Sequence, residues 1–125
     1  MGKRSKRKGL RNKLDDIVRK IIRIRDDWTC QKCGCHVDGI HAQTSHVISR
    51  KYLNLRWDLL NLKLLCPGDH RWWHEDPVAA MEWFKEKFPV RYEYLQNMPR
   101  LKAYKDWELE ELYERLQDKL KDMQE

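Results

Sequence analysis

Apolar residues recur at three- and four-residue steps through Leu10, Leu14, Ile17, Val18, Ile21, Ile24 and Trp28, with Arg11, Lys13, Arg19, Lys20, Arg23 and Arg25 filling the other positions. An α-helix returns a side chain to the same face every 3.6 residues, so this stretch predicts a basic amphipathic helix of about five turns. From Thr29 the period fails. Gly34, Gly39 and the Cys30-Gln-Lys-Cys33 pair interrupt it, and His46-Val47-Ile48 and Leu62-Lys63-Leu64-Leu65 suit two short strands of a hairpin. The long connection between them, residues 49–61, carries Arg50, Lys51 and Arg56 and suits an anionic ligand.

Helical spacing returns after Cys66. Pro67 stands in a first turn, and Asp76-Pro77 supplies an N-cap and first-turn proline for a helix through about Phe88. Pro89 stops that helix, and a shorter one is expected from Val90 to Met98. Asp106 can cap a last helix with Leu109, Leu112, Tyr113, Leu116, Leu120 and Met123 as its apolar stripe. Trp72, Trp73, Trp83 and Trp107 fall at helical spacings that fit core packing, while Trp57, inside the basic loop, fits packing and base stacking equally.

Charge changes this picture because it is unevenly placed. The 125 residues carry a formal +6, yet residues 1–25 hold eleven Lys and Arg against two acids, and residues 75–125 are net acidic. The basic excess is thus an N-terminal arm, residues 1–9, too poor in apolar side chains to fold alone and expected to stay disordered until an anion arrives. Lys3, Arg4, Lys6, Arg7 and Lys8, with Arg50, Lys51 and Arg56, are the candidate phosphate contacts. The acidic half reads as a scaffold or a docking surface for another protein. No apolar run approaches the ~18 residues of a membrane span, and the arm lacks the apolar region of a secretory signal, so a cytoplasmic location is expected. In a reducing compartment the four cysteines are read first as metal ligands.

Cys30, Cys33, His46, Asn61, Cys66, Asp69, His70 and His74 all fall within 45 residues. His70 and His74 are spaced i, i+4, which puts both imidazoles on one helix face where they can share one ion. A site of two histidines with open positions suits catalysis, since a structural zinc site is closed by four protein ligands.

The order of these residues, CxxC, then Ser45-His46, Asn61, Leu65-Cys66 and a helix bearing His70 and His74, resembles the HNH, or ββα-metal, endonuclease family over residues 30–76. Arg56-Trp57-Asp58 three residues ahead of Asn61, and His70-Arg-Trp-Trp-His74-Glu-Asp-Pro77, are similar to phage recombination endonucleases. The resemblance implies an α+β fold. A ββα core with a zinc knuckle, about 28–76, would lie between the basic helix and a helical extension over 77–125, making residues 10–125 one domain. It implies His46 as general base, Asn61 as brace of the loop that orients it, and a Mg²⁺ or Mn²⁺ ion on His70 and His74. It also implies a bacterial host cytoplasm and, as a possible partner, a phage recombination or packaging protein.

The chain departs from the family pattern twice. Many relatives carry a metal ligand directly before the base histidine, where this chain has Ser45, a weaker ligand. Two CxxC pairs are expected to close a structural Zn²⁺ site, but the second reads Cys66-Pro-Gly-Asp69. Cys30, Cys33, Cys66 and Asp69 are therefore the expected ligand set, with Cys35 or His36 as alternative fourth ligands and loss of zinc also open. The implied activity is nicking or branch-directed hydrolysis of DNA. A non-catalytic, zinc-stabilised DNA-binding module or an adaptor is the alternative, and oligomeric state stays open.

Overall fold

The computed structural model describes residues 3–125, with side chains from Lys6 onward. Helix α1 (Lys3–Arg25) buries Leu10, Leu14, Ile17, Val18, Ile21 and Ile22, the face that the apolar spacing defines. It starts seven residues earlier than that spacing predicts, so residues 3–9 of the expected arm are helical; Met1 and Gly2 lie outside the described residues. The reason is a neighbour. Helix α6 (Asp106–Gln124) lies along α1 in the same sense, with Arg7 3.2 Å from Asp106, Lys6 3.5 Å from Glu110, and Lys13 over the Tyr113 ring. These pairs face solvent and contribute about 0–1 kcal/mol each; the burial of Leu109 and Leu116 holds the helices together.

Asp27 and Trp28, at φ 54° and 51°, reverse the chain at the end of α1. Strands β1 (Gln43–His46) and β2 (Leu62–Leu65) then pair antiparallel, Ser45 opposite Lys63 and His46 opposite Leu62. Strand β1 lies three residues earlier than His46-Val47-Ile48 predicts. The cause is Asn61: its carbonyl accepts from Val47 N–H and its side chain from Ile48 N–H, both at 2.8 Å, so these residues bond a turn instead of extending the sheet.

The connection between the strands contains a single helical turn, α2 (Leu53–Arg56), and a 3-10 turn, Leu59–Asn61, capped by the Asp58 carboxylate. Helices α3 (Pro67–Glu75), α4 (Pro77–Lys87) and α5 (Pro89–Asn97) each begin on a proline, whose missing N–H costs nothing in a first turn. Trp73 packs edge-on against Phe84 with ring centres 6.4 Å apart, and Trp72 against Trp83 at 6.1 Å. Trp57 is buried among core residues, whereas Trp107 is 60% exposed on the outer side of α6 and is not part of the core. The fold is mixed α+β, mostly helical around one two-stranded sheet. Among the described residues no helix is long and apolar enough to cross a membrane.

Candidate functional site

Helix α3 borders two groups of ligand-bearing side chains. At its start, the sulfurs of Cys30, Cys33, Cys35 and Cys66 all lie within 4.8 Å of one another. The turn that gathers three of them is closed by Cys30 N–H to the Cys35 carbonyl at 2.8 Å and Gly34 N–H to the Cys30 carbonyl at 2.9 Å. Gly34 sits at φ +81°, a conformation a side chain would strain, and this swings Cys35 back toward its neighbours. Cys66 arrives from the other side as the N-cap of α3, its sulfur accepting from Asp69 N–H at 3.4 Å.

Four thiolates about 2.3 Å from a tetrahedral zinc stand about 3.8 Å apart. The 4.0 Å between Cys33 and Cys66 fits that spacing, and Cys33 to Cys35 is tighter at 3.2 Å. Burial is the main cause raising the Cys66 thiol to about 12, a value a bound cation would reverse by taking the thiolate. The donor set thus suits a structural metal ion such as zinc. Asp69, the expected fourth ligand, is outside the four: Cys35 takes that position because Gly34 turns the chain back. The Asp69 carboxylate instead accepts from the Cys30 thiol at 3.1 Å and the Cys66 thiol at 3.4 Å. Burial opposes its ionisation, but these hydrogen bonds outweigh burial and hold the carboxyl below its usual range. His36 is exposed, 3.4 Å from Asp38, and takes no part.

Further along α3, His70 and His74 face a cleft of about 480 Å³ that is also lined by His46 and Thr44 of β1 and Asp15 of α1. The Nε2 atoms of His70 and His74 are 3.3 Å apart, matching the roughly 3.0–3.4 Å between two nitrogen ligands each about 2.1 Å from one ion. Gln43 Oε1 accepts from His70 Nδ1–H at 2.8 Å, which leaves Nε2 bare, the form a metal binds. Burial, helped by the charges of His74 and Lys63, lowers the His70 pKa and favours that neutral ring.

His46 is held differently. Its Nε2–H donates to the Arg56 carbonyl at 3.0 Å, and since a carbonyl only accepts, Nδ1 is the bare nitrogen of the neutral ring. Burial takes its pKa down to about 4, against the opposing pull of the Arg56 carbonyl, so at neutral pH the ring is neutral with a bare nitrogen, at the cost of a weaker drive to take a proton. Asn61 is fully buried and braces the same loop with three bonds: it accepts from Ile48 N–H and donates to the carbonyls of Ile48, 3.0 Å, and Leu55, 2.9 Å.

Ser45 does not face this cleft. Side chains alternate along a strand, so Thr44 and His46 point one way and Ser45 the other, where its buried hydroxyl accepts from Lys63 Nζ at 3.0 Å. Its expected role as a weak metal ligand is therefore corrected. Lys63 is itself fully buried over the Trp73 ring, and burial pushes its amine well below the usual range.

The expected phosphate contacts divide. Lys3 and Arg4 lie outside the residues whose side chains are described; Lys8, Arg50 and Lys51 are exposed; Lys6 and Arg7 are paired with α6. Arg56 is not a surface cation. Its guanidinium is 14% exposed and clasps both oxygens of Asp15 at 3.0 and 2.7 Å, which points it into the protein and away from a phosphate. Burial raises the Asp15 pKa, but hydrogen bonds from Arg56 and Trp57 more than offset this and keep the carboxylate ionised below its ordinary range.

Asp15, Thr44 and Gln43 escape sequence reasoning. For Asp15 a signal exists: Asp15-Asp16 is the only acidic interruption in residues 1–25. Gln43 and Thr44 carry none. No family model matches the chain, and no curated protein or solved structure matches it.

Proposed function

We propose that the chain is a metal-dependent DNA endonuclease that hydrolyses a phosphodiester bond, nicking duplex or branched DNA. What carries the reading is the convergence of His46, His70 and His74, from two separate elements, on one cleft beside an Asn61-braced loop. His46 takes the proton of the attacking water at Nδ1 while the Arg56 carbonyl keeps Nε2–H in place. His70 and His74 would hold a divalent ion, Mg²⁺ or Mn²⁺, which would supply positive charge to phosphodiester hydrolysis. Arg50, exposed at the cleft, and the exposed lysines of α1 attract the phosphate backbone, so binding weakens steeply with salt. The four cysteines hold zinc as a structural element.

The test is conversion of supercoiled plasmid to open circles with Mg²⁺, Mn²⁺ or EDTA. Nicking should need the metal and fall by at least about 100-fold in His46→Ala, with DNA affinity unchanged. Equal nicking by that variant removes His46 as the base. A second reading, a zinc-stabilised DNA-binding module without activity, is favoured by Ser45, which is buried and unavailable to a metal. DNA binding without nicking under any metal selects it. As an adaptor to a phage recombination or packaging protein, the chain would offer the acidic outer face of α6.

A further inference from the structure

The peptide that holds His46 is itself held from both sides by one carboxylate. The carbonyl accepting from His46 Nε2 belongs to the Arg56–Trp57 peptide. On one side of it, Arg56 donates through Nε to Asp15 Oδ1 at 3.0 Å and through Nη2 to Oδ2 at 2.7 Å. On the other side, Trp57 Nε1–H donates to the same Oδ1 at 2.7 Å, and the indole is only 2% exposed. The Asp15 side chain is 13% exposed, so these charge-assisted bonds act away from bulk water, where they are strong and directional. Asp15 stands on α1 between Leu14 and Val18, both buried, so the helix that carries it cannot easily turn. A fourth contact, from Arg50 Nη2 at 3.4 Å, is longer and solvent-exposed.

A neutral imidazole has two tautomers, and only the one with the proton on Nε2 leaves Nδ1 bare. The hydrogen bond from one ring nitrogen decides which is present, so a carbonyl fixed in place fixes the reactive nitrogen. We propose that Asp15 is a positioning residue: by clamping Arg56 and Trp57 it aims the carbonyl between them at His46 Nε2 and so selects the tautomer with a bare Nδ1. Its effect on rate rests on the endonuclease reading; its effect on the ring does not. Asn61 reaches the preceding carbonyl, that of Leu55, so residues 55–57 are pinned from two directions, by α1 and by the turn before β2.

The experiment uses the full-length chain with Asp15→Ala, Asp15→Asn and Arg50→Ala. It reads the ¹⁵N shifts of the His46 ring, kcat and KM for nicking, and the melting temperature. Wild type should show one protonated and one bare nitrogen, with Nε2 carrying the proton. Asp15→Ala should average the two ring shifts and lower kcat about 10- to 100-fold with KM within about twofold. Asp15→Asn, which keeps an acceptor for Trp57 and loses the ion pair, should fall between, and is the variant to use if Asp15→Ala does not fold. Arg50→Ala leaves the clamp intact and should keep the wild-type ring shifts. Wild-type ring shifts and kcat in a folded Asp15 variant, even with a lowered melting temperature, would overturn the proposal and leave Asp15 a purely structural residue. If wild type cuts no DNA, the endonuclease reading fails while the ring shifts still decide the role of Asp15.

Discussion

The two ends of α3 solve different problems with similar materials. At its start, Cys66 meets three cysteines from a separate turn, so the sulfurs come from two distant stretches of chain and surround a common centre. One turn on, His70 and His74 come from the same helix and meet on one side only, with open cleft on the other. A ligand set that closes on itself ties chain segments together and leaves no position for a reactant. A set that stays half open leaves room for water and phosphate. The contrast teaches that ligand number and enclosure, more than residue type, separate a folding element from a reactive one.

That contrast can be broken most forcefully at the sulfurs. Cys66→Ser, or stripping metal with a strong chelator, should lower the melting temperature by at least about 10 °C, since binding at such a site is folding free energy. His70→Ala should leave the melting temperature nearly unchanged while abolishing nicking; equal melting losses in both variants would erase the distinction. Thermal unfolding beside metal analysis by mass spectrometry measures both. Asn61→Ala should cost about 2–4 kcal/mol in denaturant unfolding, because it strands Ile48 N–H and two carbonyls in a buried turn.

The pH dependence separates the regions more gently. His46 titrates near 4 in the folded chain, against about 6.5 when unfolded, so the native state favours the neutral ring. The stability this contributes is complete above about pH 6.5 and is lost as pH falls toward 4, on the order of 3 kcal/mol. Nicking should hold from pH 8 to about 5 and fail only below, whereas a fall centred near 6.5 would mean an exposed base. The smallest effect is expected at the helix pair: Lys6→Ala with Arg7→Ala should cost under about 1 kcal/mol in denaturant unfolding, because both ion pairs face solvent.

Much of the frame is legible in the chain. Pro67 and Pro77 mark two helix starts, Pro89 marks the end of the second and lies one residue before the start expected for α5, and the i, i+4 spacing puts His70 and His74 on one face. What is not legible depends on contacts between distant segments. The first turns of α1 look unfoldable alone, since their stripe begins at Leu10, and become helical beside α6. Strand β1 lies three residues early because the Asn61 side chain, and not strand pairing, satisfies Ile48. Cys35 is only one of two alternative fourth ligands in the sequence, and the left-handed turn at Gly34 is what sets it beside the other sulfurs. Ser45 stands directly before His46 in sequence and on the opposite face of the strand in space, a one-residue difference that moves it from cleft to core.

The pairing of α1 with α6 has a consequence for how the molecule is made. Arg7 and Asp106 are 99 residues apart, so at ribosomal speeds of about 5–20 residues per second α1 is complete for roughly 5–20 s before its partner exists. Through that interval part of its leucine- and isoleucine-lined face is bare while its cationic positions are fully displayed. The acidic helix therefore arrives as a late cover, and non-local closure of this kind slows folding even in a mostly helical chain. A permuted chain that places α6 ahead of α1, through a linker long enough to run back along the roughly 28 Å of α6, should fold faster.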